Sequence, residues 1–345
     1  MRFFLSTERS IPTLEHVARI AGVSTATVSR SLNTPDRVEE KTRIRVLDVV
    51  EQLGYTPNFA ARVMAAKRSF TVGAIIPTME NAIFARGIQA FQEELYRRGY
   101  VLLVSSFLYD PEIEKDQIRT MVARGADGLL LIGHDRDPQI YEYLENQNVP
   151  SLVSWTYDES APRPSVGFEN RKSMEMLVHE VLKHGHKKIS AIMGRTETND
   201  RVRQRIEGLK DALAYHGWNS DSLEVLETNH DVESGGDAFE TIMAGESPPT
   251  AIVCGNDVLA VGAIQRARKL GMSIPEDVSI TGFDDIELAR IVDPPLTTVH
   301  VPHREMGRRA ASELVNMIEN KTSGNSINLE TNITLRMSLG TPSAN

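Results

Sequence analysis

From residue 70 onward short apolar runs alternate with helix-patterned stretches, and that alternation leaves few folds open. The runs at 71–77, 101–106, 128–132, 151–155, 189–193, 251–254 and 278–283 read as strands. The stretches 83–98, 116–124, 172–183, 202–216 and 258–270 repeat apolar residues at helical spacing. Strands separated by helices pair in parallel, with helices covering both faces of the sheet. About ten strands spread over roughly 270 residues predict two stacked doubly wound subdomains rather than one sheet. An α/β barrel and a dinucleotide-binding fold show the same alternation.

Phosphate and catalytic signatures are missing from this body. No G-x-G-x-x-G follows the first strand, and G-x-x-x-x-G-K-[ST] occurs nowhere; Gly271 and Gly282 stand alone. Neither a G-x-S-x-G elbow nor an H-E-x-x-H pair is present. His184 and His186 flank Gly185 at a helix end, where cationic side chains suit the helix dipole, so capping is expected there rather than metal. The single cysteine, Cys254, has no partner for an intramolecular disulfide and is expected to be buried. No enzyme activity and no cofactor are therefore expected, with an enzyme on a doubly wound fold as one rival. No stretch approaches the ~20 apolar residues of a membrane span. Residues 1–12 lack the apolar core of a signal peptide, so a cytoplasmic protein is expected.

The first 70 residues differ in kind. The formal net charge is −9, yet residues 1–70 carry 11 Lys and Arg against 7 Asp and Glu, while the remainder carries 27 against 40. A basic head on an acidic body fits phosphate contact by the head, although charge alone does not separate DNA from RNA or an acidic partner. Leu14, Val17, Ala18 and Ala21 recur at i, i+3, i+4 and i+7, with Thr13 as a candidate N-cap, and the helix ends at Gly22. Ser24 caps a second helix over 25–32, giving a helix-turn-helix. A third helix is expected over 39–53, with Val46, Leu47, Val50 and Leu53 inside and Lys41, Arg43 and Arg45 outside. In this motif the second helix enters the major groove with its first residues at base edges. Thr25 offers a hydrogen bond or a methyl contact, Ala26 an apolar contact, and Arg30 a fork for guanine. Ser24, Thr27, Ser29 and Asn33 complete the expected DNA face. The plainer alternative is a protein-binding bundle with an ordinary polar surface. Beyond Pro57, residues 58–68 are Ala-rich and helix-competent but too short to persist alone, so they form either a hinge that folds with a partner or a plain linker.

The run TLEHVARIAGVSTATVSRSLN at 13–33, continued by KTRIRV at 41–46 and LGYTPN at 53–58, resembles the lactose/galactose (LacI/GalR) repressor family. One departure is His16, where that family usually has an acid. The body extends the resemblance through DGLLL at 127–131, GHKKI at 185–189, RQRIEGL at 203–209, CGND at 254–257, GFDD at 282–285 and PLTTV at 295–299. It implies an all-α head at 1–57, a hinge at 58–69 and a periplasmic-binding-protein-like body at 70–345. Within the body it implies one subdomain of about 70–169 plus 300–328 and another of about 170–299 plus 329–345.

By the same resemblance Asn58 stands at the start of the hinge, and Met64 takes the place of the apolar wedge between base steps in the minor groove. A small molecule is expected between the subdomains, held by Arg205, Asn256 and Asp284. Arg205 supplies a planar fork, Asn256 both donates and accepts, and Asp284 accepts paired hydroxyls. A structural salt bridge between Arg205 and Asp284 is the alternative. Asn81, Phe84, Trp155 and His230 complete the candidate cleft, Trp155 either as an exposed stacking platform or as core. The implied whole is a homodimer on a pseudo-palindromic double-stranded DNA operator, acting as a repressor whose affinity responds to a sugar-like effector. A transporter's solute-binding protein is the rival from another class, opposed by the basic head. The tail after Leu335 shows no sustained heptads, so no tetramerising coiled coil is expected.

Overall fold

The computed structural model describes residues 11–56, 68–80, 82–219 and 223–343. The chain divides into two compact units, 1–69 and 70–345.

In the first unit α1 (Leu14–Ala21), α2 (Thr25–Asn33) and α3 (Glu40–Leu53) close around Val17, Ala18, Ala21, Val28, Val46, Val49 and Tyr55. Thr13 caps α1 through its hydroxyl, which accepts from the His16 amide, and His16 Nδ1 accepts from the Thr13 amide in return, both at 3.3 Å. The imidazole thus takes the part that Glu or Gln plays in a capping box, which accounts for the unusual residue there. Gly22 stops α1 at φ +65°, a left-handed conformation that favours glycine. One expectation is corrected on α3. Val49 is buried and Leu47 is 42% exposed, because 46, 49, 50 and 53 share a face at 100° per residue whereas 47 is turned away from it.

The second unit holds two six-stranded sheets. The first contains β1 (Thr71–Ile76), β2 (Val101–Ser106), β3 (Gly128–Ile132), β4 (Ser151–Ser154), β5 (Ser165–Gly167) and β11 (Ile327–Asn328), ordered β11-β5-β4-β3-β1-β2 and all parallel. The second contains β6 (Ile189–Gly194), β7 (Glu224–Thr228), β8 (Ala251–Cys254), β9 (Ser279–Asp284), β10 (Thr297–His300) and β12 (Asn332–Thr334), ordered β12-β10-β9-β8-β6-β7. Only its β10–β12 pairing is antiparallel. Central strands β1, β3, β4, β8 and β9 are buried along their whole length, as sheets covered on both faces require, whereas the edge strands β2 and β7 are partly open. This is the expected pair of doubly wound subdomains. The chain passes from the first sheet to the second after β5, returns after β10 and crosses again after β11. Each sheet reverses its winding once, between β1 and β3 and between β6 and β8, and ligands of such folds lie outside the carboxyl ends of strands at these points.

The connecting helices are α4 (Ala82–Arg97), α5 (Pro111–Ala123), α6 (Pro138–Asn146), α7 (Asn170–Lys183), α8 (Asp200–Tyr215), α9 (Val232–Met243), α10 (Asp257–Lys269), α11 (Leu288–Ile291) and α12 (His303–Asn320). Helix α12 crosses α4 where Gly307 meets Gly87, and a Cβ on Gly307 would fall 1.9 Å from the Gly87 carbonyl oxygen. Backbone cannot yield as a flexible side chain does. Gly307→Ala is therefore expected to lower stability by about 1–3 kcal/mol in urea denaturation, and an unchanged midpoint would contradict this close crossing.

Candidate functional site

On the first unit Ser24 caps α2, its hydroxyl accepting from the Thr27 amide at 3.1 Å and lying 2.9 Å from the Thr27 hydroxyl. Val28 and Ser31 face inward, which leaves Ser24, Thr25, Ala26, Arg30 and Asn33 exposed, with Thr27 and Ser29 partly so. Seven of the nine expected DNA-contact residues therefore share the outer side of one helix and its cap. Asn58 and Met64 lie outside the described residues. Arg30 folds back, its Nε donating to the Ala26 carbonyl at 3.2 Å, and Asn33 donates to the Ser29 carbonyl at 3.0 Å. Both bonds are local and exposed, so either side chain can be released to a base or phosphate at little cost.

In the second unit the candidate residues follow the carboxyl ends of different strands: Trp155 after β4, His230 after β7, Asn256 after β8 and Asp284 at the end of β9. Phe84 lies on the first turn of α4, and Asn81 lies outside the described residues. Arg205 sits on α8, 7% exposed, its guanidinium 3.6 Å from the centre of the Phe283 ring. Its Nε donates to Asn170 Oδ1 at 2.9 Å and its Nη1 to the Gly255 carbonyl at 2.5 Å. The remaining nitrogen, Nη2, stands 3.8 Å from Asp284 Oδ1, beyond hydrogen-bond length.

Asp284 is fully buried, and neither carboxylate oxygen has a hydrogen-bond partner among the described residues. Burial drives its pKa up to about 7 against the pull of Arg205 and Arg201, and burial drives Arg205 down to about 10. The pair is thus an incomplete salt bridge that leaves hydrogen-bonding capacity open on both sides. Asp284 holds φ +107° and Trp155 φ +62°. Non-glycine residues in this region are strained by about 1–3 kcal/mol each, a cost that tends to persist at sites that hold ligands.

Trp155 is core rather than an exposed platform: it is 2% exposed and packs 5.3 Å from the Phe84 ring. The left-handed turn after β4 directs the ring inward, where it lies against Gly87. Its indole Nε1–H nonetheless has no partner among the described residues. Asn256 caps α10, its Oδ1 accepting from the Leu259 amide at 2.9 Å, so one of its acceptor positions is already occupied. His230 stacks on Tyr109 with ring centres 5.1 Å apart and planes 6° apart. Burial and the neighbouring Arg205 and Arg201 lower its pKa to about 4, so it is neutral. The expected salt-bridge alternative and the ligand clamp are therefore not exclusive, since the same two residues approach without bonding.

The structure adds residues that the sequence did not single out. Tyr109 and Thr198 join the two halves, the Thr198 hydroxyl donating to the Tyr109 carbonyl at 3.1 Å. The His134 amide donates to Asp200 at 2.7 Å, and Arg203 pairs with Asp135 at 2.8 Å. His303 is buried and donates Nε2–H to the Asp284 carbonyl at 3.1 Å, leaving Nδ1 an acceptor without a partner among the described residues. Arg201, one turn before Arg205, is 7% exposed and bonds Asp200 at 2.9 Å. Spacing along α8 was the available signal for Arg201, because residues four apart share a helix face. Away from the cleft, His184 bonds the Glu180 carbonyl, and His186 bridges Thr250 and the Gly340 carbonyl. Cys254 is buried.

Comparison with known proteins agrees with this architecture. Residues 13–58 match the family described as bacterial regulatory proteins, lacI family, and residues 69–336 match periplasmic binding proteins and sugar binding domain of LacI family. The chain is 32% identical over 310 residues to the HTH-type transcriptional repressor PurR of Vibrio atlanticus, covering 90% of this chain and 92% of that one. It is 33% identical over 320 residues to the repressor CytR of Escherichia coli, covering 92% and 93%. Among solved structures, the lac repressor dimer bound to operator and the anti-inducer ONPF superposes with a TM-score of 0.85 at 25% identity, over 95% of this chain and 99% of that one. A CelR–cellobiose complex superposes with a TM-score of 0.70 at 27% identity, over 95% and 99%. A capped helix-turn-helix with a polar outer face, and a doubly wound body of the sugar-binding type, are the two parts of one design: the chain belongs to the lacI family of DNA-binding transcriptional regulators.

Proposed function

We propose that this regulator is a repressor that binds a pseudo-palindromic operator as a homodimer and responds to a small polyhydroxylated effector held by Arg205, Asn256 and Asp284. The observation that carries the effector reading is the buried Asp284 carboxylate, without a hydrogen-bond partner among the described residues and facing an Arg205 nitrogen 3.8 Å away. Hydroxyl groups lying beside them would donate to the carboxylate and accept from the guanidinium. The linked change in operator affinity is typically 5–150-fold and must be reciprocal between effector and DNA.

Dimerisation is supported by the edge of the first sheet. Val101 on β2 is 58% exposed, and Tyr96, Leu108 and Ile113 beside it are also open. An apolar strand edge of this kind favours cover by another chain, here a second copy. No catalytic role is assigned, in keeping with relatives named as repressors. A cytoplasmic site of action is supported by relatives named as transcriptional repressors, and no helix among the described residues is long and apolar enough to cross a membrane.

Selection of a randomised duplex pool at fixed near-physiological salt tests the reading. A two-fold-symmetric motif is expected to be enriched. Arg30→Ala is expected to relax preference at one position of each half-site, where the parent discriminates by about 1–3 kcal/mol. Retention without enrichment, or equal weakening on all sequences, would overturn the proposal.

A further inference from the structure

Arg201 distinguishes this cleft. It occupies the first turn of α8, is 7% exposed, and lies against Gly133 at the end of β3, where a Cβ would overlap its Nη1. Only Nη1 is engaged by a side chain, that of Asp200, which also accepts from the His134 amide. The Nε and Nη2 edge, two parallel donors, has no acceptor among the described residues. Its charge is felt by Tyr109, His134, Arg205, His230 and Asp284, which places it amid the cleft groups.

The surrounding chemistry narrows what can meet that edge. Burial lowers the pKa of His134, with Arg136 and Arg201 adding to it against Asp200, and burial brings His230 and His303 to about 4, so these imidazoles add little positive charge. Arg205 faces Asp284, whereas Asp200 offsets Arg201 at a single bond. A neutral polyol could match the open groups of Arg205 and Asp284, but would leave a nearly buried guanidinium edge without a strong acceptor. A carboxylate matches that edge with two parallel charge-assisted bonds. Arg201 and Arg205 are four residues, about 6 Å, apart along α8, comparable with the span of a short sugar chain.

We infer that the effector is a sugar acid, a polyol whose carboxylate is taken by Arg201 while its hydroxyls lie between Arg205 and Asp284. This rests on the cleft being the effector site, as proposed above.

The test exposes the immobilised full-length protein to an equimolar mixture of glucose, galactose, glucitol, gluconate, glucuronate, galacturonate and glucose 6-phosphate, and identifies retained species by mass spectrometry. Retention of one or more carboxylates in preference to their neutral parents is expected. Calorimetry on a retained acid should then show a loss of roughly 10- to 100-fold in Arg201→Gln, with Arg201→Lys, which keeps charge but not the fork, in between. A thermal melt of each variant separates lost binding from lost folding. Retention of only neutral sugars or only the phosphate would overturn the carboxylate assignment and leave the cleft reading standing. Retention of nothing would overturn both. An acid bound equally well by folded Arg201→Gln would remove Arg201 from the site.

Discussion

At pH 8 the ligand-free Asp284→Asn protein is expected to be more stable than its parent by about 4 kcal/mol, while losing roughly 100-fold in effector affinity. Asp284 is fully buried, and its pKa is pushed up to about 7 from an ordinary value near 3.8. The folded state therefore holds a proton that the unfolded chain has released, across the window between these values. Stability contributed by this group falls as pH rises from about 4 to about 7, because the unfolded state binds fewer protons there. Asparagine removes the ionisation, so its advantage is full above pH 7, shrinks by pH 5, and vanishes toward pH 4. The same substitution takes a charged acceptor from the effector, and hydrogen bonds to charged groups are worth about 1.5–3 kcal/mol each. Paired urea denaturation at pH 5 and pH 8 measures the first effect. A variant no more stable than its parent at pH 8 would show that the carboxylate is satisfied in solution, and would withdraw the main support for an effector there.

Period and spacing marked the long central strands because β1, β3, β4, β8 and β9 are buried on both faces and carry unbroken apolar runs. The short strands β5, β11 and β12 have no such signal, since their two or three residues are strands only through the neighbours they pair with. Motif resemblance pointed to Arg205, Asn256 and Asp284, of which Asn256 and Asp284 follow or end a strand while Arg205 lies in the second turn of α8. It did not show that Asn256 also caps α10, or that the indole of Trp155 turns inward. Those outcomes depend on backbone angles after a strand, and φ +62° at a tryptophan is not written in hydrophobic pattern. His303 was beyond reach for a different reason: its contact with the Asp284 carbonyl joins residues 19 apart through the return of the chain between sheets. At Leu47 a shift of one residue moves the side chain 100° around its helix, which takes it out of the core face and leaves it 42% exposed.

Arg205 is the partner that keeps the charge on Asp284 tolerable, and Arg205→Ala is expected to cost about 3–5 kcal/mol at pH 8. Three losses combine in that figure. Asn170 Oδ1 and the Gly255 carbonyl lose their donor, and the Phe283 face loses the guanidinium stacked on it. The remaining loss is electrostatic, because Arg205 is the larger of the two cationic influences that lower the pKa of Asp284. Removing it raises that pKa further, so the folded protein resists ionisation more strongly and the penalty grows with pH. The electrostatic part is therefore expected to be small at pH 5, where the folded carboxyl is protonated with or without Arg205. In an Asp284→Asn background it should be absent at every pH, leaving only the lost hydrogen bonds and packing. A double-mutant cycle at the two pH values isolates this coupling. Equal losses in both backgrounds at both pH values would mean that the guanidinium acts only through Asn170, Gly255 and Phe283, and that Asp284 carries its charge without help from Arg205.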